Sequence, residues 1–175
     1  LDGFKDLLSV GLPGKKNNSL NGSYLRDSNQ NFFTSLNQLQ ALTHPYSNNG
    51  NDLITSYYGG NINAGDGNDI VTSHQSASIN GGKGNDILTS YGSLSDINAG
   101  EGNDIIRSYG LSTINGGAGN DSITSFNGGK IEAGAGNDLI TSYGFAQISG
   151  GQGDDTVTIS GTGTIYNYKK GDGSY

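Results

Sequence analysis

Seven aspartates recur along the middle of this chain at nearly equal spacing. Each ends a Gly-Asn-Asp or Gly-Asp-Asp tripeptide, and the intervals are 17, 17, 18, 17, 17 and 17 residues. If equivalent residues stack in coils about 4.8 Å apart, neighbouring carboxylates repel by roughly 1 kcal/mol in water and by more inside a protein. Such a column favours a cation held between neighbours. The carboxylates are those of Asp52, Asp69, Asp86, Asp104, Asp121, Asp138 and Asp155.

Each of these aspartates closes a six-residue loop that is rich in glycine. Glycine at alternating positions permits positive φ, so backbone carbonyls can turn toward one point. Carbonyl and carboxylate oxygens are the ligands that Ca²⁺ prefers. The absence of Cys and the presence of only two His, His44 and His74, argue against zinc or copper. The loops read SNNGND (47–52), AGDGND (64–69), GGKGND (81–86), AGEGND (99–104), GGAGND (116–121), AGAGND (133–138) and GGQGDD (150–155).

The net charge of −7 is concentrated in the repeat. Residues 50–155 carry twelve acidic and three basic side chains. An acidic middle repels nucleic acid and anionic membranes, and it attracts cations. No window approaches the roughly 18 apolar residues of a membrane span. The start at Leu1 does not resemble a signal peptide, which predicts a fragment or a processed chain.

Two short aliphatic runs separate successive loops. Runs this brief, divided by Gly-rich or small-residue turns, are typical of strands and not of helices. The repeat therefore predicts an all-β, right-handed parallel β-solenoid (β-roll) over 47–175, with two strands in each coil of 17–18 residues and two aliphatic ladders facing each other. The ladders are Ile54, Val71, Leu88, Ile106, Ile123, Ile140 and Val157, and Ile62, Ile79, Ile97, Ile114, Ile131 and Ile148.

The loops and the strands that follow them resemble a known family. The strings GGKGNDILT (81–89), GGAGNDSIT (116–124) and GGQGDDTVT (150–158) are similar to the repeats-in-toxin (RTX, haemolysin-type) nonapeptide GGxGxDxUx, which binds Ca²⁺. The resemblance implies that each ion lies between two loops one coil apart. The earlier loop would give the carbonyls of its second and fourth residues and its Asp. The later loop would give the carbonyls of its first and third residues and its Asp.

For the second ion this arrangement implies Gly65, Gly67 and Asp69 together with Gly81, Lys83 and Asp86. Lys83 would contribute only its carbonyl, with its ammonium in solvent. The full set of metal-site residues expected from the resemblance is Asn48, Gly50, Asp52, Ala64, Gly65, Asp66, Gly67, Asp69, Gly81, Gly82, Lys83, Gly84, Asp86, Ala99, Gly100, Glu101, Gly102, Asp104, Gly116, Gly117, Ala118, Gly119, Asp121, Ala133, Gly134, Ala135, Gly136, Asp138, Gly150, Gln152 and Asp155.

The chain departs from the family at the opposite turn of each coil. RTX coils usually carry the loop at both turns, whereas here the opposite turn reads Tyr-Gly-Ser-Leu-Ser (91–95) or Phe-Asn-Gly-Gly-Lys (126–130). We therefore expect about five or six Ca²⁺ ions in one row along one edge. The first loop lacks both leading glycines, so whether it binds Ca²⁺ is left open. Ala64, Ala99 and Ala133 alternate with Gly at the first loop position, which indicates duplication of a two-coil unit.

Three ranks of side chains are expected on the outward face of the first strand in each coil. They are apolar (Leu53, Ile70, Ile87, Ile105, Leu139), threonine (Thr55, Thr72, Thr89, Thr124, Thr141, Thr158, interrupted by Arg107) and aromatic (Tyr57, His74, Tyr91, Tyr109, Phe126, Tyr143). A face this apolar predicts coverage by another part of the protein or self-association with a second copy. The alternatives are a glycan or surface ligand and, less favoured because of Arg107 and the bulky neighbours, ice.

Residues 1–46 are predicted to form a cap or linker. Phe32, Phe33, Leu36, Leu39 and Leu42 have near-helical spacing and end before Pro45, so a short helix is expected around 30–43. This segment could cap the first coil or cover the apolar face.

The sequence predicts no enzyme, because no nucleophile–base set or isolated carboxylate pair stands apart from the repeat. The favoured function is a calcium-binding, structural or adhesive module of a secreted or cell-surface bacterial protein that folds when it meets Ca²⁺. The alternative is an accessory or secretion module of a larger toxin or hydrolase.

Overall fold

The repeat forms two parallel β-sheets that face each other. The computed structural model describes residues 23–26, 32–34, 49–161 and 165–166. Sheet A comprises β1 (Ser23–Arg26), β2 (Phe32–Thr34), β3 (Leu53–Ser56), β5 (Ile70–Ser73), β7 (Ile87–Ser90), β9 (Ile105–Ser108), β11 (Ser122–Ser125), β13 (Leu139–Ser142) and β15 (Thr156–Ile159). Sheet B comprises β4 (Gly60–Asp66), β6 (Ala77–Lys83), β8 (Asp96–Glu101), β10 (Ser112–Ala118), β12 (Gly129–Ala135), β14 (Ala146–Gln152) and β16 (Ile165–Tyr166).

Successive coils pair in register, so each position of the repeat forms a ladder. Ile54 pairs with Val71, and Val71 pairs with Leu88. In sheet B, Ile62 pairs with Ile79, which pairs in turn with Ile97. This confirms the predicted all-β parallel β-solenoid with two strands per coil. The right hand of the coil stays a prediction from the general handedness of parallel crossovers.

The core is a narrow seam between the two sheets. Both predicted aliphatic ladders are buried, with exposed fractions of 0–2%, except that Val157 in the last coil is only partly buried. Ala64, Ala99 and Ala133 are also fully buried, at the end of the seam nearest the Asp loops. A seam about one side chain deep on each sheet leaves most of the remaining side chains at the surface.

The N-terminal strands extend sheet A beyond the first coil. β1 pairs antiparallel with β3, and β2 pairs antiparallel with β1. The helix predicted around 30–43 is therefore wrong at Phe32–Thr34, because strand pairing there continues the ladder from the edge strand β3. The rest of that helix prediction lies outside the described residues. The paired segment continues the end of the sheet and is not laid across its outer face.

A second column of buried side chains holds the turn opposite the Asp loops. In the six coils from β3 to β13, the sheet A strand ends with a serine that is fully buried. Ser56 donates to the Gly59 carbonyl at 2.9 Å, and Ser125 donates to the Gly128 carbonyl at 2.8 Å. These hydroxyls satisfy turn carbonyls that the seam would otherwise leave without partners. The column is Ser56, Ser73, Ser90, Ser108, Ser125 and Ser142.

The outward aromatic rank of sheet A is one continuous stack. Neighbouring rings lie 4.5–5.5 Å apart between centroids, with interplanar angles of 2–14°. His74 lies between Tyr57 and Tyr91, which confirms its place in the rank. The outward face of sheet B carries instead an amide ladder, in which Asn80, Asn98 and Asn115 each donate to the preceding coil's Asn. The two faces of the solenoid are thus chemically different.

No helix long and apolar enough to cross a membrane occurs among the described residues.

Candidate metal centre

The sign of φ alternates along each loop, and this alternation determines the direction in which each backbone carbonyl points. The second and fourth residues of the loops from 64–69 to 150–155 are glycines with φ between 108° and 141°. A Cβ at Gly82 would collide with the Gly65 carbonyl oxygen, and one at Gly84 with the Gly67 carbonyl oxygen. The second and fourth carbonyls of each loop therefore point forward to the next loop. Only glycine combines this φ with so close an approach.

The third and first carbonyls point the other way. Gly67 N–H donates to the Lys83 carbonyl, and Gly84 N–H donates to the Glu101 carbonyl, each at 2.7 Å. The carbonyl oxygen of Ala99 lies close to Gly81 of the loop before it, and that of Ala133 lies close to Gly116. Every pair of neighbouring loops thus encloses carbonyl oxygens from both sides.

The aspartate carboxylates span the gaps between loops. Asp69 N–H donates to Asp86 Oδ1 at 2.8 Å, and Asp104 N–H donates to Asp121 Oδ1 at 2.8 Å. In both, Oδ1 faces the loop before. The other oxygen, Oδ2, lies within its own loop, close to Gly81 in Asp86 and to Gly116 in Asp121. One carboxylate therefore presents an oxygen toward each of the two gaps beside it.

The Oδ2 atoms have no hydrogen-bond partner although they are buried. This holds for Asp69, Asp86, Asp104, Asp121 and Asp138, whose residues are only 1–2% exposed. A buried carboxylate oxygen without a donor is costly, and native proteins rarely leave one. A repeated set of such oxygens in register fits a positively charged ligand bound between neighbouring loops.

The residue at the fifth loop position also links successive loops, but its side chain bonds to the next loop and not to the loop before. Asn68 N–H donates to Asn51 Oδ1 at 2.8 Å, and Asn85 N–H donates to Asn68 Oδ1 at 2.7 Å. The Asn ladder thus reaches forward along the chain while the Asp ladder reaches back. Together the two ladders fix the separation of successive loops through backbone N–H donors, which bond to neutral amide oxygens in the Asn ladder and to carboxylate oxygens in the Asp ladder.

One gap shows the complete set of oxygens. Between loops 81–86 and 99–104, the earlier loop directs the carbonyls of Gly82 and Gly84 and the Oδ2 atom of Asp86 inward. The later loop directs the carbonyls of Ala99 and Glu101 and the Oδ1 atom of Asp104. Four carbonyls and two carboxylates form an all-oxygen donor set of the kind that Ca²⁺ takes at about 2.3–2.6 Å. The residues present fit a calcium ion.

Backbone carbonyls are essential to this arrangement. Within the part of the chain that the structure describes, no three His, Asp or Glu side chains converge on a single point. A cation in a gap would have only two carboxylates, so the backbone must provide the remaining ligands. This dependence explains why the loops conserve glycine at two positions while the third varies among Asp, Lys, Glu, Ala and Gln.

Burial raises the pKa of the column carboxyls. Desolvation is the largest cause in each, and the neighbouring carboxylates of the column add to it in Asp86, Asp121 and Asp138. The pKa of Asp86 and of Asp121 rises to about 7, and that of Asp138 to about 6. The pKa of Asp69 and of Asp104 is raised as well. Without a cation, the folded Asp86, Asp121 and Asp138 carboxyls therefore keep their protons to a higher pH than they would in an unfolded chain.

The structure brings the loop residues expected from the resemblance to one edge of the solenoid. Asn48 is the exception, since it lies outside the described residues. Asp66, Lys83, Glu101 and Gln152 occupy the third loop position with exposed side chains, so only their carbonyls face a gap. Whether these residues ligate a metal stays a prediction.

Sequence reasoning missed the serine column at the opposite turn. Its signal was present, because a serine recurs at the same place in six successive coils with the period of the Asp loops. It went unnoticed because serine is common in exposed turns, whereas here it is fully buried.

A comparison with known protein families supports the assignment of the Asp loops as calcium-binding repeats. The family model of the RTX calcium-binding nonapeptide repeat (4 copies) matches residues 78–106, 108–128 and 147–158. The resemblance of the loops to RTX repeats is thereby confirmed. No curated protein and no solved structure matches the chain. The repeats and the parallel solenoid together support a calcium-binding β-roll module.

Proposed function

We propose that this run of RTX repeats is a non-catalytic calcium-binding module of a secreted or cell-surface bacterial protein, and that it folds when it meets Ca²⁺. About five or six ions would occupy one row, one in each gap between neighbouring loops. The role we favour is structural or adhesive. The alternative, an accessory or secretion module of a larger toxin or hydrolase, uses the same ion row.

The unpartnered Oδ2 column is the observation that carries this proposal. Five buried carboxylate oxygens lie in register without a donor. Bound Ca²⁺ would supply each with a positive partner and would convert repulsion between coils into attraction. Because a site needs two loops one coil apart, it exists only in the folded chain. Binding and folding are then linked, and calcium stabilises the native state by mass action.

Circular dichroism during a Ca²⁺ titration, followed by chelation, tests the proposal. We expect β-sheet signal and a higher melting temperature with Ca²⁺, and loss of both after chelation. Mg²⁺ at equal concentration is the matched control, because it demands tight octahedral geometry and gives up its water reluctantly. A chain with the same signal and melting temperature in all three conditions would contradict calcium-driven folding.

The aromatic stack on sheet A argues against the alternative that this face binds a glycan. Sugars bind aromatic side chains through the ring faces, but the inner rings of this stack already cover one another at 4.5–5.5 Å. A ligand could reach them only at their edges, so a glycan face is disfavoured. An apolar contact with another protein surface needs no open ring face. Self-association or coverage through sheet A therefore remains the partner proposal for this face.

A further inference from the structure

The first residue of the loop alternates between alanine and glycine. The order is Ala64, Gly81, Ala99, Gly116, Ala133 and Gly150. Strand register places these residues above one another, since Asn80 pairs with Asn98 and Gly82 with Gly100 on either side of Gly81 and Ala99. One column of the solenoid therefore holds a methyl group in every second coil.

The first loop residues lie beside the gaps between neighbouring loops. A Cβ built on Gly81 would collide with Asp86 Oδ2 and would lie 2.5 Å from the carbonyl oxygen of Ala99. Two coils later, a Cβ on Gly116 would collide with the carbonyl oxygen of Ala133 and would lie 2.5 Å from Asp121 Oδ2. The same pair of oxygens, one carboxylate and one carbonyl of the next loop, surrounds the missing methyl in both coils.

The carboxylate occupies the space that the methyl would take. Asp155 Oδ2 likewise approaches the missing Cβ of Gly150. In the alternate coils a methyl is present and fully buried at Ala64, Ala99 and Ala133. There the carboxylate of the same loop cannot adopt this position, because a carbon and an oxygen do not approach so closely. The distance between Oδ2 and the first loop residue must therefore differ between the two kinds of loop, although Oδ1 accepts the same backbone N–H in both.

We propose that the calcium sites alternate between two classes. The gaps that follow the loops beginning at Gly81 and Gly116 bind Ca²⁺ more tightly than the gaps that follow the loops beginning at Ala64, Ala99 and Ala133. The proposal rests on the calcium-binding function proposed above and adds an order of filling to it. In the glycine gaps, the Oδ2 atom and the next loop's carbonyl already converge on one small region. In the alanine gaps, a methyl group occupies the equivalent region, so the ligands must spread around it.

A pair of reciprocal substitutions in the full chain tests the order of filling. Neither Gly81 nor Gly116 has positive φ, so backbone conformation alone does not exclude alanine, but the added methyl at position 81 would force Asp86 Oδ2 and the Ala99 carbonyl to move. We expect Gly81→Ala to weaken Ca²⁺ binding at its gap by roughly tenfold, the scale typical of disturbed metal-ligand surroundings. Ala99→Gly should act in the opposite sense at the next gap. Calorimetric Ca²⁺ titration measures both.

Tb³⁺ luminescence at saturation gives a second measurement. It reports the environment of each bound ion even if binding at one site affects the affinity of its neighbours. The luminescence decay of the wild type should resolve two metal environments, and the double variant Gly81→Ala, Gly116→Ala should show one. A single environment in the wild type, or shifts of equal sign for Gly81→Ala and Ala99→Gly, would overturn the two-class inference while leaving calcium binding intact. A wild type that binds neither ion would instead refute the proposed function.

Discussion

At the scale of single residues, the aspartate at the sixth position of the loops from 64–69 to 133–138 performs two tasks. Through Oδ1 it accepts the N–H of the aspartate one coil earlier, and through Oδ2 it offers a buried negative charge without a partner. The first task needs an oxygen acceptor, whereas the second needs a charge. Asn has the acceptor but not the charge. Substitution by Asn and by Ala can therefore separate the structural task from the ionic one.

Asp104→Ala should remove calcium from both neighbouring gaps. The substitution removes Oδ1, which faces the gap shared with Asp86, and the buried Oδ2, which has no donor and which we assign to the gap shared with Asp121. Asp155→Ala, in the last loop of the repeat, should affect a single gap. Native mass spectrometry at fixed free Ca²⁺ counts the ions. Equal losses in the two variants would show that a carboxylate serves only one ion, and Asp104→Asn controls for the lost hydrogen bond.

At the scale of the coil, two unlike columns hold the two turns. The Asp edge depends on charge and presents unpartnered oxygens, while the opposite edge depends on neutral serine hydroxyls that are already satisfied. Only the first should respond to metal ions. A coil therefore has one turn whose stability depends on calcium and one whose stability does not.

Ser125→Ala tests the calcium-independent turn. The variant leaves the buried Gly128 carbonyl without the hydroxyl that now donates to it at 2.8 Å. We expect a loss of about 1–3 kcal/mol in unfolding free energy at saturating Ca²⁺, with an unchanged number of bound ions. Denaturant unfolding and ion counting measure the two quantities. Thr124→Ala, one residue earlier and pointing outward, should have little effect, and fewer bound ions in Ser125→Ala would contradict the separation of the two turns.

Much of the coil could be predicted from sequence, because in-register stacking turns a period of residues into columns. The Asp positions, both aliphatic ladders and the paired loop glycines followed from the spacing alone. The strand at Phe32–Thr34 did not, since its partner β1 lies outside the repeat in sequence and the residues around Phe32 have helical spacing. The Oδ1 hydrogen bonds were also inaccessible, because spacing shows which residues stack but not how their side chains turn.

At the scale of the whole molecule, charge is distributed so that metal ions and protons compete for the same edge. The acidic residues of the repeat far outnumber the basic ones, and burial raises the pKa of the Asp86, Asp121 and Asp138 carboxyls. Protons neutralise the column at low pH, and Ca²⁺ is expected to neutralise it at neutral pH. The stability of the solenoid should therefore depend on pH in opposite ways with and without calcium.

Without calcium, the fold should lose stability as the pH rises. The unfolded carboxyls titrate near 3.8, whereas the folded Asp138 carboxyl titrates at about 6 and those of Asp86 and Asp121 at about 7. The folded state thus binds more protons between these values, so this contribution is complete below about pH 4 and is lost as the pH passes through about 6–7. With saturating Ca²⁺, stability should instead rise over the same range.

Thermal unfolding from pH 4.5 to pH 8 (roughly the window set by those pKa values), on metal-free protein and at saturating Ca²⁺, measures the two trends. Two curves that run parallel across this range would contradict competition between protons and calcium at one edge.

The coil with an extra residue shows where this architecture tolerates change in length. The interval between Asp86 and Asp104 is 18 residues instead of 17, yet the Asp ladder and both sheets continue through it in register. The added residue lies in the turn 91–95, where Leu94 has a φ of 62° and is 74% exposed. One added residue is thus accommodated at the turn that carries the serine column, on the side of the coil opposite the Asp loops. The Asp loops, in contrast, all have six residues. We therefore expect that the Asp edge can lengthen only by the addition of whole coils, whereas the opposite turn can change in length by single residues.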